Sequence, residues 1–425
     1  MTKKIMVIGG GGREHALVWK LSQEKGSTIL CCPGNPGIAT LATCENISAE
    51  DLPGLLEKAT SWKPDLVVVG PDNPLALGIV DIFTSKGFRI FGPTQKAAQF
   101  ESSKVFTKDF LIRHGIPTAR SEQFTDYVKA LQYSQKLSYP QVIKADGLAL
   151  GKGVVIAQNG SEATHALYQM MEKKIFGVSG EKVLIEEFLL GEEVSAHAFV
   201  DGKTFRMMPI AQDHKRVGDG DVGPNTGGMG TYSPVTAATQ EICEQIEERV
   251  FKKFMEGCKK DGIEFKGILF PGLMLTHDGP KVLEFNARFG DPETQVLMQR
   301  LDSDLSPILE ACIDSKVEEA EIKWKSDAAL CVVIASGGYP GVCEKGNKIS
   351  RLPIANEVLG VTVFHAGTSM KDGETVNTGG RVLGVTATHS SLESAQSNAY
   401  LAVSKINFTG MLFRKDIGWR SLRNR

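Results

Sequence analysis

The chain lacks an excess of charge of either sign: 48 lysines and arginines against 50 aspartates and glutamates leave a net charge of −2 over 425 residues. That balance gives no electrostatic ground for a nucleic-acid partner or a membrane surface, so small ligands are the expected partners. Its eight cysteines include no Cys-x-x-Cys pair, and several sit in apolar runs such as Ala328–Ala335. This excludes a disulfide framework and a cysteine zinc site, and fits a reducing, cytoplasmic compartment. No apolar run approaches the roughly 18 residues of a membrane span. The opening MTKKIMVIGGGG is too short in apolar residues for a signal peptide. Heptads, low-complexity tracts and short-period repeats are missing as well. What is present is 42% hydrophobic and 23% charged residues, a globular composition with room for roughly two to four domains.

The most informative stretch is Lys281–Glu293, KVLEFNARFGDPE. An extended reading sets Glu284, Asn286 and Arg288 on one face of a strand. Glu284 and Asn286 offer oxygens to a hard dication such as Mg²⁺ (or Mn²⁺), which commonly shares its coordination between one or two protein groups and substrate phosphates. Arg288 brings a planar fork suited to phosphate or carboxylate. The plain alternative is a solvated strand face with a salt bridge.

The first hundred residues alternate strands with helices. Lys4–Ile8 reads as a strand, Gly9–Gly12 as a turn and Arg13–Glu24 as a helix; Ser27–Cys32, Leu66–Gly70 and Phe88–Gly92 read as further strands. The pattern predicts a Rossmann-like parallel sheet whose strand ends line a crevice. A G-x-G-x-x-G fingerprint fails, because Glu14 or His15 stands where the third glycine belongs, and no acid follows the second strand. The turn at Gly11 and Gly12, with Arg13, is therefore read as a phosphate site or as simple packing. The loops Pro33-Gly34-Asn35 and Pro71-Asp72 open on the same edge, together suggesting a phosphosugar pocket.

Gln95–Gly115 reads as one polar helix, after which a smaller α/β unit begins. The strand Gln141–Ala145 carries Lys144 toward a glycine-rich loop, and a second strand, Val154–Ala157, follows. The loop is no P-loop, since its glycine spacing is short and Lys152 precedes Gly153. It can still lie over phosphates. Lys182–Leu189 reads as a strand whose backbone at Glu186, Glu187, Phe188 and Leu189 could meet a purine edge, with Glu193 as a ribose carboxylate. Gln212–Gly230, QDHKRVGDGDVGPNTGGMG, lacks apolar periodicity and reads as a loop closing over an anionic ligand. Thr239–Lys260 is an amphipathic helix and Phe265–Thr276 a buried strand. From about Ala328 short strands and glycine turns predominate, and His365 and Arg381 read as structural.

These motifs, GGREHA (11–16), PGNPG (33–37), FGPT (91–94), KADGLALGKGV (144–154), IEEFLLGEE (185–193), DHKRVGDGDVGPNTGGMG (213–230), EFNARFGDPETQ (284–295), HAGT (365–368) and FRKDIGWR (413–420), run in order through the chain. They resemble the ATP-grasp carboxylate–amine ligases, and within them the glycinamide ribonucleotide synthetase family. The resemblance implies ligation of glycine to 5-phosphoribosylamine through glycyl phosphate, with ATP as co-substrate, as a step of purine biosynthesis.

It also implies roles for particular residues. Glu284 and Asn286 would bind metal. Lys104, Lys144 and Arg288 would cancel phosphate charge, with Gly147, Gly151, Lys152, Gly153, Glu186–Leu189 and Glu193 around ATP. Asp213 and the turn Asn225, Thr226, Gly227 and Gly228 would hold glycine, with Lys215, Arg216 and Arg288 also among the substrate-binding residues. Gly11–Glu14, Pro33–Asn35 and Asp72 would hold the phosphosugar. Lys144, Asp213 and Arg288 are the candidate catalytic residues. Asp72, Leu150 and Gly10 depart from the residues usual in that family.

The expected architecture is α/β and α+β multidomain. A Rossmann-like domain spans 1–103, a two-lobed ATP-grasp domain 104–325 with its small lobe near 118–190, and a small, mainly β domain 326–425. A monomer or weak dimer is expected. The rival readings are another ATP-grasp ligase or carboxylase, a nucleotide-binding module without turnover, and a nicotinamide dehydrogenase.

Overall fold

Five parallel strands form the first sheet, in the order Thr43–Cys44, Ser27–Pro33, Lys3–Gly9, Leu66–Val69, Ile90–Phe91. A computed structural model describes residues 2–148 and 153–423, with the side chain of Val178 left out. The inner strands are continuous Ile, Val and Leu runs buried on both faces, as a helix-covered parallel sheet demands. Strand order reverses beside Lys3–Gly9, so its carboxyl end and that of Leu66–Val69 flank the crevice such sheets use for ligands.

The small lobe is a four-stranded antiparallel sheet, ordered Ser121–Phe124, Val183–Glu187, Gln141–Ala145, Val154–Ala157. It packs on a core of its own built from Ile143, Leu167, Met170 and Ile185 among others. The large lobe centres on the long strand Lys266–Thr276, flanked by Gly279–Asn286 and Glu192–Ser195 and, farther along, by Ala198–Asp201. A last five-stranded sheet joins Gln212–Asp213 and Gly230–Ser233 to Ala328–Ala335, Arg381–His389 and Val361–His365. The large lobe and the carboxy-terminal region thus share a sheet. Among the described residues no helix is long and apolar enough to cross a membrane.

The structure corrects several local readings. The single helix expected over 95–115 is two, Gln95–Ser102 and Lys104–Arg113. Ser103 sits between them in an extended conformation, its hydroxyl accepting from Phe106 N, so it caps the second helix instead of continuing the first. The loop expected over 212–230 contains a hairpin, Arg216–Gly218 with Val222–Asn225, because Asp-Gly-Asp (219–221) supplies a tight turn. Simple alternation in Lys281–Arg288 fails too. The ladder register shifts between Gly272 and Leu273, which lets Val282 and Phe285 both enter the core while Glu284 stays exposed.

Candidate active site

Glu284 is exposed on the bulged strand, next to Leu283, whose carbonyl Lys144 of the small lobe reaches. Its carboxylate makes no hydrogen bond or ion pair among the described residues, yet two lysines lie in its field. Burial pulls the Lys104 ammonium below its ordinary value, with Glu284 the largest opposing charge. Lys144 is held above its ordinary value, since burial is outweighed by Glu186 and then Glu284. Lys104 starts its helix and donates to Gly147 O at 2.6 Å, and Lys144 Nζ donates to Leu283 O at 2.9 Å. Lys144 thus reaches from the small lobe to the strand bearing Glu284, while Lys104 reaches from its helix to the small-lobe loop at Gly147.

Behind Lys144 lies a closed ionic group. Glu186 receives Lys144 on one carboxylate oxygen and Lys108 on the other, each at 2.9 Å. Burial would raise the Glu186 carboxyl, but Lys144 and Lys108 hold it below the usual range. The strand carrying Glu186 is central in its sheet, paired with both Ser121 and Val142. Its backbone is consequently not available to a purine at Glu186, contrary to the sequence reading. The ladder ends at Glu187, whose side chain accepts from Arg120, and Phe188 and Leu189 lie beyond it. Gly151 and Lys152 lie outside the described residues; Gly147 and Gly153 flank that stretch.

Asn286, buried, ends the strand that carries Glu284. Its side-chain oxygen accepts from Arg288 Nη2 at 3.0 Å, and the same guanidinium nitrogen meets Glu101 at 2.7 Å. Glu101 also accepts from Ala287 N at 2.8 Å. Burial raises the Glu101 carboxyl despite Arg288. Two side-chain oxygens with no sulfur or imidazole between them fit a hard dication shared with phosphates. No cluster of three or more His, Cys, Asp or Glu that could hold a metal ion exists among the described residues.

A second cluster gathers Asp213, Lys215, Glu193 and Glu293. Asp213 Oδ2 pairs with Lys215 at 2.7 Å, while Oδ1 has no hydrogen-bond partner among the described residues. Burial pushes the Asp213 carboxyl up to about 7 against the pull of Lys215. Burial likewise raises Glu193. Gly228, at φ +117°, sits where any Cβ would lie 2.7 Å from the Asp213 carboxylate, so glycine is required beside it. Gly227 O accepts from Arg381 at 2.6 Å, and Thr226 caps the turn through Lys215 O. Arg216 and Asn225 stand apart: Arg216 donates to Gly223 O within its hairpin and Asn225 is exposed opposite it.

At the amino-terminal turn the structure assigns most candidates to bracing. Glu14, buried beneath the turn, accepts from Gly11 N and Arg13 Nε, each at 2.6 Å. Asn35 donates to Gly10 O and His365 O, and Ile38 N donates to its side-chain oxygen. Pro33 ends the second strand and Gly34 packs against Gly10. Gly12 is crowded by Gln295 and Asp291. Arg13 reaches Phe289 O at 3.2 Å; burial would lower it, but Glu14, Asp291 and Asp72 hold it above its ordinary value. Arg13 and Arg288 both donate to Phe289 O, so the turn adjoins the end of the stretch that carries Glu284.

Sequence reasoning missed Lys108, Glu101, Glu293 and Asp291. Glu293 accepts from Ser195 at 2.8 Å, and Asp291 pairs with Arg381 at 3.1 Å. The Asp-Pro-Glu after Arg288 was the available signal for the last two. Nothing local marks Lys108 or Glu101, whose partners are distant in the chain.

Models of three phosphoribosylglycinamide synthetase domains match this chain in order: the N domain over residues 3–101, the ATP-grasp (A) domain over 102–294 and the C domain over 329–420. The chain is 50% identical to the trifunctional purine biosynthetic protein adenosine-3 of Gallus gallus, spanning 99% of this chain but 42% of that protein. It is 48% identical to phosphoribosylamine–glycine ligase of Caldanaerobacter subterraneus subsp. tengcongensis, spanning 97% of this chain and 99% of the relative. Its fold is similar to the crystal structure of phosphoribosylamine–glycine ligase from Thermotoga maritima, with TM-score 0.83, 34% identity, and coverage of 97% and 99% of the two chains.

Proposed function

We propose how this chain, which belongs to the phosphoribosylglycinamide synthetase family, divides the family's chemistry among its own residues. It is an ATP-dependent carboxylate–amine ligase of purine biosynthesis that joins glycine to 5-phosphoribosylamine. A carboxylate becomes an electrophile only when one oxygen is made a leaving group. ATP transfers its terminal phosphoryl group to the glycine carboxylate, giving glycyl phosphate and ADP. The phosphoribosylamine nitrogen then attacks the acyl carbon, phosphate departs, and the nitrogen loses a proton to give glycinamide ribonucleotide.

No protein nucleophile is needed; positions and charges do the work. Lys104, Lys144 and Arg288 offset the repulsion between triphosphate and carboxylate. Glu284 and Asn286 would hold Mg²⁺ or Mn²⁺, which when bound adds positive charge at the phosphates. Asp213 receives the glycine ammonium on its unpaired oxygen, with Lys215 and the Thr226–Gly228 turn beside it. Gly147 and Gly153 border the glycine-rich stretch assigned to the ATP phosphates, whose Gly151 and Lys152 lie outside the described residues. Phe188 and Leu189 offer backbone to adenine and Glu193 a carboxylate to ribose. The turn at Gly11–Arg13, with Asp72, takes the sugar phosphate. We assign residues 1–103, 104–325 and 326–425 to three units acting in the cytoplasm, as a monomer or weak dimer.

The observation carrying this assignment is the Glu284 carboxylate, exposed and unpartnered among the described residues in the field of two lysines. The test is ADP release with ATP, Mg²⁺, glycine and freshly made phosphoribosylamine, each omitted in turn. Release that requires glycine supports the reading. Release driven by bicarbonate in place of glycine would move the chain to the ATP-grasp carboxylases.

A further inference from the structure

We infer that the carboxy-terminal segment Phe413–Ser421 is a brace that positions the glycine end of the site, with Arg414 as its central positioning residue. The inference rests on the assignment of Asp213 and Lys215 to glycine. These two residues and His214 between them alternate in direction along an extended stretch, as side chains of a strand do. Asp213 and Lys215 pair with each other at the site, while His214, fully buried, turns away, and Gly418 N donates to its Nε2 at 3.0 Å.

The hairpin that follows is gripped by the same segment. Arg414, 1% exposed, donates from Nη1 to Asp221 at 2.8 Å and to Arg216 O at 3.1 Å. Its Nε and Nη2 hold Asp416 in a two-pronged pair, each at 2.8 Å. Asp416 in turn accepts from Gly220 N at 2.8 Å, and Lys415 N donates to Asp219 at 2.7 Å. Arg420 closes on the other Asp221 oxygen. A second chain of bonds runs from Ser421 to Tyr232, from Tyr232 to Gln212, and from Gln212 to Glu193 O at 2.7 Å.

A glycine-rich hairpin has little apolar surface with which to fix itself. Here its position is set by charge-assisted hydrogen bonds from a distant part of the chain: those to Asp219, Gly220 and Asp221 fix the turn, while those to Arg216 O and His214 end close to Asp213 in the chain. Arg414 touches none of the site residues, so its effect on the reaction must travel through His214 and the hairpin. The planar fork matters, because lysine cannot span Asp221 and Asp416 at once.

Steady-state kinetics of the full-length chain, with folding followed by thermal melting, test this. Glycine-dependent ADP release by the unsubstituted protein is measured first; its absence overturns the functional reading and this proposal with it. Given that dependence, Arg414→Met is expected to raise the glycine KM by on the order of tenfold to a hundredfold, with the KM values for ATP and phosphoribosylamine within about twofold of wild type. Arg414→Lys is expected to fall between. Should Arg414→Met fail to fold, Asp416→Asn, at the half-exposed end of the fork, carries the same selective rise at smaller size. Folded variants with an unchanged glycine KM, or with all three KM values altered alike, overturn the brace.

Discussion

Glu186 and Asp213 are both buried carboxylates facing the cleft, and they titrate in opposite directions. Glu186 has a lysine on each oxygen and lies below the usual carboxylate range; Asp213 has one lysine, shared in field with Glu193 and Glu293, and is pushed up to about 7. Burial acts on both in the same sense; two lysines in contact outweigh it at Glu186, whereas at Asp213 the pull of Lys215 and the more remote Arg381 is opposed by Glu293. A carboxylate whose charge is already matched has a framework role, and here it also aims Lys144. One with an unmatched oxygen is an acceptor prepared for an incoming ammonium, the cation that glycine brings.

A third carboxylate sharpens the contrast. Glu284 is exposed, with no cation in contact among the described residues, so Glu284→Ala should leave the melting temperature unchanged while turnover falls by on the order of a thousandfold. Near-wild-type turnover in that variant would remove Glu284 from the site. Lys144→Met takes one cation from Glu186 and one charge from the phosphates. We expect kcat/KM for ATP to fall by on the order of a hundredfold, together with a stability loss of about 1–3 kcal/mol in denaturant titrations. An unchanged ATP dependence would reduce Lys144 to a structural partner.

The pH dependence separates the two carboxylates further. A folded-state value raised to about 7 means that the contribution of Asp213 to stability is whole below the ordinary carboxylate range and is lost as pH rises through about 7. Glycine binds through the ionised form, so its KM should climb by about tenfold per pH unit as pH falls below 7 and level off above it. Asp213→Asn should raise the glycine KM and flatten the profile; a wild-type profile that is already flat would break the comparison. The smallest effect belongs to Arg216→Ala. Its guanidinium is engaged within the exposed hairpin, so glycine KM should stay within about twofold and stability within about 0.5 kcal/mol. A large rise in glycine KM would bring Arg216 into the cluster after all.

How far the sequence carried can be judged residue by residue. Glu284, Asn286 and Arg288 stood out as candidates because their types and spacing on one short stretch suggest a chemistry, and Lys144 because its own strand runs into a glycine-rich loop. The break at Ser103 was written in a capping serine but masked by the longer helical pattern. The hairpin at 216–225 was masked by its lack of apolar residues. At the amino-terminal turn, Glu14 and Asn35 read as ligands, and in the fold both bond back to the protein, since nothing local tells whether a polar side chain points out of a loop or back beneath it.

Local pattern by itself determined the parallel first sheet, the glycine turns, the order of the motifs and the oxygen-rich strand, because periodicity and turn chemistry act over a few neighbouring residues. Only the tertiary structure decided that Lys108 answers Glu186, that Glu101 restrains Arg288, that Arg381 supports Gly227 and that Arg414 holds the hairpin. The partners in each case come from different elements. Whether a charge is matched, left over or spent on the backbone is fixed only when those elements pack and exclude water.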